Sequence, residues 1–92
     1  MSTYRLETKE QAKKDLRRLL TDEPSSYKKA MKLIAEIIEH PRIGTGKPEL
    51  LKGDKAGRWS RRITQKHRLI YEIHDDIVVV IVVAAYGHYD DK

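Results

Sequence analysis

The stretch GTGKPELLK, residues 44–52, contains a glycine-framed lysine of the kind that binds nucleotide phosphates. A Walker loop needs a glycine five residues before its Gly-Lys pair, a Ser or Thr after the lysine, and a strand leading in. Here Pro48 follows Lys47, position 41 is proline, and the preceding pattern is helical. The sequence therefore argues against nucleotide binding. It leaves a different candidate for chemistry, Glu49, because this carboxylate stands in a segment that is otherwise basic.

Positive charge is concentrated around Glu49. Between Arg42 and Arg68 there are nine Lys and Arg residues against two acids, whereas the whole chain has a net charge of +5. A patch of this density favours a polyanionic partner, and nucleic acid is the commonest one in the cytoplasm. The charge alone is also compatible with a basic surface that is only solvated and binds no partner.

Two arginines of the basic segment are predicted to lie side by side. RWSRRIT (58–64) and HRLIYEI (67–73) alternate as the two strands of a hairpin do. If both apolar sets cover one core, paired positions have an even sum, and a three-residue loop then pairs Ile63 with His67 and Arg62 with Arg68. Like charges directly opposite each other repel, so we expect this pair to bind an anion. A bulge that shifted the register would remove the pairing.

The same strand phase sorts the neighbouring residues. Trp59 falls on the core side, which favours packing over stacking on a base. Arg61 shares that side and is expected to reach past the helix edge, while Arg58 is expected in solvent. The other histidines are interpreted as structural or exposed, and no histidine pair has the spacing of helical metal ligands, so we predict no metal site; these histidines are His40, His67 and His74.

Two helices are predicted ahead of the basic segment. Residues 3–6 alternate as a short first strand, and Thr8 with Gln11 has the spacing of a capping box that opens a helix over about 8–20. A second apolar stripe predicts a helix that ends before Pro41. Its expected core residues are Tyr27, Ala30, Met31, Ile34 and Ile38.

The second half of the chain supplies the sheet. Leu50 and Leu51 open a short strand, the hairpin follows, and residues 77–86 form the last strand. Because that last run is almost wholly apolar, we expect it to be central and covered on both faces. The predicted class is α+β, with an N-terminal strand and two helices packed on a twisted antiparallel sheet.

Length and composition limit the class of protein. Ninety-two residues predict one domain, 1–92, with a small core. The absence of cysteine excludes disulfides and thiol nucleophiles, and the N-terminus lacks the apolar region of a signal peptide. The longest apolar run is half the length of a membrane helix. We expect a cytoplasmic protein without membrane contact and without a cofactor.

Three segments together resemble the YoeB/Txe family of toxins, within the RelE/ParE-like superfamily. They are GKPELLK, GRWSRRITQKHRLIYEI and the terminal GHY, in this order over residues 44–89. The resemblance implies a RelE-like fold similar to small microbial RNases. It also implies the toxin of a type II toxin-antitoxin system, a ribosome-dependent mRNA endonuclease. The implied partners are mRNA, the 70S ribosome, a YefM/Axe-like antitoxin and a second copy in a homodimer.

The resemblance also implies site residues. Glu49 in KPE matches the family's catalytic glutamate, and Arg62 and Arg68 match its two site arginines. His88 and Tyr89 match its terminal His-Tyr. Lys52 and Lys47 are expected to bind RNA.

These residue types suit metal-free RNA cleavage by the 2′-hydroxyl. Such a reaction needs a base, an acid and stabilisation of phosphate charge. Glu49 would be the base, Arg62 and Arg68 would hold the phosphate, and His88 would be the acid, with Tyr89 positioning the nucleotide or sharing that role. The sequence departs from the family in its Asp90-Asp91-Lys92 tail, which is expected to weaken RNA contact or move Tyr89.

Two other functions fit the same basic α+β chain. A non-catalytic RelE/ParE-like toxin would act on another target, such as a topoisomerase. A general nucleic-acid-binding module would show salt-sensitive affinity without cleavage products, and its activity would survive alanine at Glu49.

Overall fold

Two helices and five strands make up the described chain. The computed structural model describes residues 3–53 and 57–87. Neither of its helices has the length and apolarity that a membrane crossing requires. In chain order the elements are β1 (Arg5–Thr8), α1 (Glu10–Asp22), α2 (Pro24–Ile37), β2 (Glu49–Leu50), β3 (Arg58–Arg62), β4 (Arg68–His74) and β5 (Val79–Ala84).

All five strands belong to one sheet in the order β1-β5-β4-β3-β2. The pairs β2–β3, β3–β4 and β4–β5 are antiparallel, as predicted. The predicted α+β class is confirmed, with one difference in pairing. β1 runs parallel to β5, with Arg5 opposite Val79, so the sheet is mixed. β1 occupies the outer side of β5, whose backbone groups would otherwise form an open edge.

Both helices pack on the same face of the sheet. That face is set by the odd-numbered residues of β4, Leu69 and Tyr71, as the alternation predicted. The opposite face carries the even-numbered positions of β3 and β4, among them Arg62 and Arg68. We call it the open face. The helices contribute Ala12, Leu19, Ala30, Leu33, Ile34 and Ile37 to the core, and the sheet and its flanking segments contribute Ile63, Leu69, Tyr71, Val80, Val82 and Ala85.

The predicted capping box does not form. Thr8 is the last residue of β1, so the N-cap position falls to Lys9, which makes no side-chain cap. Gln11 instead donates a hydrogen bond to Asp15, 2.8 Å away. The amide of Lys9 donates to the Val82 carbonyl and thereby extends the pairing of β1 with β5. Strand pairing therefore takes precedence over the local capping pattern.

The buried face of α2 is rotated from the predicted stripe. Ala30 and Ile34 are core residues, as predicted, but Leu33 and Ile37 fill the remaining positions. Met31 was predicted in the core and is 39% exposed. The sheet and α1 cover α2 from one side only, and that side is displaced by about one residue from the stripe.

The last strand is shorter than predicted. Ile77 and Val78 lie in the turn before β5 and are exposed, with Val78 at a φ of 55°. β5 is flanked by β1 and β4, so its predicted position away from the sheet edge is confirmed. Coverage of both faces is only partial, because the helices lie on one face and Ile81, on the open face, is half-buried.

Candidate active site

The strand register brings three predicted site residues to the open face. Arg62 pairs directly with Arg68 across β3 and β4, which confirms the predicted register. Glu49 pairs with Ser60 across β2 and β3. Ser60 precedes Arg62 by two residues, so Glu49 is the diagonal neighbour of Arg62, at a typical spacing of roughly 7–8 Å. Glu49 and Arg62 are exposed, and Arg68 is half-buried.

The glycines that suggested a phosphate loop instead form the turn that delivers Glu49. Gly44 and Gly46 have φ values of 124° and 86°, a region that favours glycine. A Cβ atom on Gly46 would lie 3.1 Å from the Arg62 carbonyl oxygen. The carbonyl of Gly46 accepts a 2.7 Å hydrogen bond from the Arg62 amide. The turn therefore needs glycine so that the segment leading to Glu49 can approach β3 closely.

A buried arginine fixes the loop between α2 and β2. Arg61 was expected to reach past the helix edge, but it is 0% exposed. An arginine has five N–H donors, and here each of the five has an acceptor. They are the Glu36 carboxylate at 2.5 Å, the Tyr71 hydroxyl at 3.1 Å, and the carbonyls of His40, Ile43 and Thr45 at 2.5, 2.8 and 3.2 Å.

The partners of Arg61 are themselves held in place. The Thr45 amide donates a hydrogen bond to the Glu36 carboxylate, 2.8 Å away. This bond contributes most to lowering the pKa of Glu36, and Arg61 lowers it further. The Tyr71 hydroxyl donates to the Pro41 carbonyl at 2.7 Å. Burial raises the pKa of Tyr71 and keeps it a neutral donor. These bonds tie the loop before Glu49 to α2 and β4.

Some arginines of the basic segment form ion pairs with carboxylates, and others do not. Arg58 was expected in solvent but pairs with Glu72 at 3.1 Å, and Arg42 pairs with Asp75 at 2.6 Å. Among residues 3–53 and 57–87, no carboxylate lies within 4.0 Å of a charged nitrogen of Arg62 or Arg68. Of the five arginines in this segment, these two are the ones that no described carboxylate pairs with.

The two predicted RNA-binding lysines lie at opposite ends of β2. Both are exposed. Lys47 follows Gly46, whose carbonyl contacts the Arg62 amide, so it lies at the end near the arginine pair. Lys52 follows Leu51, whose amide donates to the Arg58 carbonyl, so it lies at the far end. Only Lys47 is adjacent to the arginine pair.

The end of the described chain also reaches the arginine pair. The Arg68 amide donates a 3.0 Å hydrogen bond to the Gly87 carbonyl, and the Ala85 amide donates to Asp15, 2.9 Å away. His88 and Tyr89, the predicted acid and nucleotide contact, lie outside the described residues. Gly87 is their neighbour in the chain, so the structure defines where that segment begins.

The sequence did not predict the contacts of two buried residues, Arg61 and His67. The strand alternation did place Arg61 on the core side of the sheet. The carbonyls that accept its hydrogen bonds, however, come from a loop with no periodic sequence pattern. His67 was interpreted as a hairpin-loop residue, structural or exposed, and is buried at 3% exposure. Its partners, Glu23 and Gly87, are 44 and 20 residues away in sequence. No local pattern could have identified them.

The open face thus combines a carboxylate with two arginines that have no carboxylate partner among the described residues. A carboxylate can accept a proton, and two neighbouring guanidinium groups can donate hydrogen bonds to different oxygens of one phosphate. Anchorage of the loop by Arg61 and of Gly87 by Arg68 holds the site from both sides. The geometry fits recognition and general-base chemistry on a phosphodiester.

Comparisons of the sequence identify relatives of this chain. Residues 8–89 match the model of the YoeB-like toxin of bacterial type II toxin-antitoxin systems. Toxin YoeB of Streptomyces coelicolor is 55% identical over 54 residues, which are 59% of this chain and 64% of that protein, slightly less than two thirds of its length. Toxin YoeB of Mycobacterium bovis is 42% identical over 62 residues, 67% of this chain and 73% of that protein.

Solved structures agree with these relatives. The YoeB/ParE toxin from Agrobacterium tumefaciens superposes with a TM-score of 0.86 at 34% identity, over 92% of this chain and 99% of that one. A YoeB dimer from Staphylococcus aureus has a TM-score of 0.82, and the toxin of a heterotetrameric YoeB-YefM complex from the same species has 0.79. Both are 29% identical over 96% of this chain and 100% of theirs. The family match, the register and the fold lead to one conclusion: this chain belongs to the YoeB-like toxins of bacterial type II toxin-antitoxin systems.

Proposed function

We propose that this toxin, acting as one domain of residues 1–92, cuts mRNA in the ribosomal A site by general acid-base chemistry. The observation that carries the proposal is the placement of Glu49, Arg62 and Arg68 on one face of the sheet, beside the point where Gly87 meets Arg68. The residues proposed as base and phosphate-binding pair thus lie close to the start of the His88-Tyr89 segment, which supports the proposal.

The reaction proposed is attack of a ribose 2′-oxygen on the adjacent phosphorus. Glu49 accepts the 2′-hydroxyl proton while the new P–O2′ bond forms. Arg62 and Arg68 bind the phosphate oxygens and stabilise the charge that accumulates in the transition state. His88 donates a proton to the 5′-oxygen as the P–O5′ bond breaks. The products are a 2′,3′-cyclic phosphate, or the 3′-phosphate after its hydrolysis, and a 5′-hydroxyl end.

The remaining positions serve binding. Lys47, adjacent to Arg62, contacts the RNA backbone near the cleaved bond, and Lys52 contacts it farther away at the other end of β2. Tyr89 positions the nucleotide by stacking or by a hydrogen bond. All chemical groups in this scheme are side chains, so the scheme uses no cofactor.

The proposed partners follow from the mechanism and from the relatives. mRNA on the 70S ribosome is the substrate, which places the protein in the cytoplasm. The Staphylococcus aureus structures, one a YoeB dimer and one a YoeB-YefM complex, support a YefM-like antitoxin and a homodimer for this chain as well. We propose that the antitoxin covers the open face and its basic residues, because a bound acidic or polar segment there would exclude RNA.

A single-atom change in the substrate tests the reaction. Translating ribosomes would be stalled on a short mRNA whose A-site codon is all-ribose, or carries one 2′-deoxynucleotide at the cleaved position. The proposal predicts cleavage of the ribose mRNA only, with a cyclic phosphate on the upstream fragment. Equal cleavage of both mRNAs would exclude 2′-oxygen attack. An uncut ribose mRNA would favour the non-catalytic RelE/ParE-like alternative.

A further inference from the structure

His67 is a buried histidine whose two ring nitrogens both have hydrogen-bond partners. It lies between β3 and β4, next to Arg68, with 3% of its surface exposed. Its Nε2 atom is 2.9 Å from Oε2 of Glu23, at the junction of α1 and α2. Its Nδ1 atom is 2.8 Å from the backbone nitrogen of Gly87. The proposed reaction assigns no role to this side chain.

The hydrogen bond from Gly87 fixes the protonation state of the ring. A backbone N–H can only donate, so Nδ1 of His67 must carry a lone pair, and the ring proton is on Nε2. Nε2–H then donates to the Glu23 carboxylate. This bond is the first cause that lowers the pKa of Glu23, followed by the hydrogen bond from Ser26. The arrangement therefore requires the neutral imidazole.

Gly87 is held on both sides by adjacent residues of the hairpin. Its N–H donates to the His67 ring, and its carbonyl accepts from the Arg68 amide at 3.0 Å. Tyr86 packs against the His67 ring, with ring centres 4.4 Å apart. Gly87 directly precedes His88 in the chain. The two hydrogen bonds therefore determine where the chain enters the segment that carries the proposed acid.

We propose that His67 is a positioning residue for the cleavage reaction, holding Gly87 beside Arg68 through its neutral imidazole and releasing it when the ring is protonated. The proposal rests on the function proposed above, because it assigns His67 a role through His88. A proton on Nδ1 would place two N–H donors face to face and break the bond to Gly87. Protonation of His67 itself would then loosen Gly87 while Arg62, Arg68 and Lys47 keep their places.

Charged and titratable groups surround the ring on several sides. Glu23 contacts it directly, and Lys66 lies 3.6 Å from the same Glu23 oxygen. Tyr86 covers the ring and is itself covered by the Arg18 guanidinium, 4.1 Å from its centre. The Tyr86 hydroxyl donates to Asp22 at 3.4 Å. The Glu23 carboxylate accepts a hydrogen bond from the neutral ring and from the charged ring alike, whereas the Gly87 N–H can donate only to the neutral one.

Two amide variants separate the two hydrogen bonds of the ring. The amide oxygen of Asn comes close to the position of Nδ1 and can accept from Gly87, so His67→Asn keeps that bond and loses the one to Glu23. The amide nitrogen of Gln comes close to the position of Nε2, so His67→Gln keeps the bond to Glu23 and loses the acceptor for Gly87. His74→Gln is the matched control, because His74 contacts Glu72 and not Gly87.

NMR spectroscopy on the full chain tests the contact itself. Ring ¹⁵N shifts should show a lone pair on Nδ1 in the wild type near neutral pH, and the Gly87 amide should be protected from hydrogen exchange. Protection should be lost in His67→Gln and kept in His67→Asn. On acidification the Gly87 amide shift should follow the titration of the His67 ring. An Nδ1–H tautomer would overturn the proposal. So would a Gly87 amide whose protection is the same in His67→Gln as in the wild type and whose shift does not change on acidification.

Cleavage on translating ribosomes tests what the contact does. For His67→Gln we expect kcat to fall roughly ten- to hundred-fold through misplacement of His88. The KM should change less than kcat, because Arg62, Arg68 and Lys47 keep their proposed RNA contacts and only Tyr89 shares the segment of His88. His67→Asn should restore most of the rate, and its activity should persist to lower pH than that of the wild type. Thermal melts confirm folding of each variant.

The two proposals fail in different ways. Unchanged cleavage by a folded His67→Gln variant that has lost Gly87 protection would overturn the role of His67 and leave the proposed function standing. Equal loss of rate in the Asn and Gln variants would make His67 a structural residue. A wild-type protein that cuts no mRNA, with Gly87 still protected, would overturn the proposed function and the positioning role with it.

Discussion

Arg62 lies directly opposite Arg68 in the β3–β4 ladder, on the face that the helices leave open. Directly opposed like charges destabilise a sheet by up to about 1 kcal/mol. The neighbouring Arg58 and Arg61 have carboxylate partners, whereas within the described part of the chain no acid lies within 4.0 Å of the charged nitrogens of this pair. A cost to the folded protein at a surface site is expected where a ligand supplies the missing negative charge.

Neutralising either arginine should therefore separate stability from activity. In Arg62→Gln and in Arg68→Gln the free energy of unfolding should stay the same or rise by up to about 1 kcal/mol, because the repulsion is removed. The cleavage rate should fall roughly 10²-fold or more, because a charge-assisted bond to the phosphate is lost. Urea unfolding and primer extension on ribosome-bound mRNA measure the two quantities.

Arg58→Gln is the control for this pair of variants. It removes the ion pair with Glu72 and should cost at most about 1 kcal/mol of stability, with cleavage nearly unchanged. A loss of stability in Arg62→Gln or Arg68→Gln with wild-type cleavage would mean that the arginine pair is structural.

Arg61 should behave in the opposite way. Arg61→Met leaves three loop carbonyls and the Glu36 carboxylate, whose side chain is 33% exposed, without their buried donor, and a buried polar group left unsatisfied costs about 1–3 kcal/mol. Urea unfolding measures this loss, and Arg58→Met, at a half-exposed pair, should lose at most about 1 kcal/mol. Similar losses in the two variants would show that the buried network contributes no more than a surface pair.

Acid should weaken the same network through Glu36. Hydrogen bonds from Thr45 first, and then from Arg61, hold the pKa of Glu36 below its ordinary value of 4.5. A lowered pKa in the folded state stabilises the protein above the unfolded value, and that contribution is lost as the pH falls through the folded value. The free energy of unfolding of Glu36→Gln should therefore depend less on pH below about 4.5 than that of the wild type.

Acid titration of urea unfolding for the two proteins measures this difference. The other carboxyls with lowered pKa values, Glu23, Glu72 and Asp75, are the same in both proteins and cancel from the comparison. Parallel curves in the acid range would exclude Glu36 as a source of the pH dependence.

The turn at Gly46 should be more sensitive to an added side chain than an open turn. Gly46→Ala adds a Cβ 3.1 Å from the Arg62 carbonyl oxygen at a φ of 86°, whereas Gly57→Ala has a similar φ of 89° and no atom of the described residues within 4 Å. Both pay the cost of a left-handed residue, about 1–2 kcal/mol. Gly46→Ala should lose more stability than Gly57→Ala and should also lower cleavage, because the segment that leads to Glu49 must move. Thermal unfolding measures the stability of the two variants, and primer extension measures their cleavage rates. Equal losses in Gly46→Ala and Gly57→Ala would show that the close approach to β3 is unimportant.

The parts of the structure set by local patterns could be predicted from the sequence. Alternation in two neighbouring strands limited the registers to those that bury both apolar sets, and a three-residue loop between Ile63 and His67 selected the one with Arg62 opposite Arg68. The helices followed from their apolar stripes. The start of α1 and the buried face of α2 differed from the prediction. Thr8 belongs to β1. In α2, Met31 is exposed and Leu33 is buried.

The anchors of the site could not be predicted in the same way. Arg61 is buried because a loop without periodicity curls its carbonyls around the guanidinium. His67 is buried because the end of β5 and the helix junction meet at the hairpin loop. Both depend on partners distant in sequence, and a charged or polar residue by itself predicts exposure. The resemblance to a family named the residues for chemistry but not the residues that hold them.

The most direct test is a map of mRNA 5′ ends on translating ribosomes after addition of the antitoxin-free protein. Wild type, Glu49→Ala and His88→Ala would be compared with Glu7→Ala, another exposed edge-strand carboxylate on the open face but at the opposite edge of the sheet. We expect A-site cuts by the wild type and by Glu7→Ala. In Glu49→Ala and His88→Ala the cutting rate should fall by roughly 10²-fold or more. Undiminished A-site cutting by folded Glu49→Ala would contradict the assignment of the base, and the absence of any cuts by the wild type would contradict the proposed activity itself.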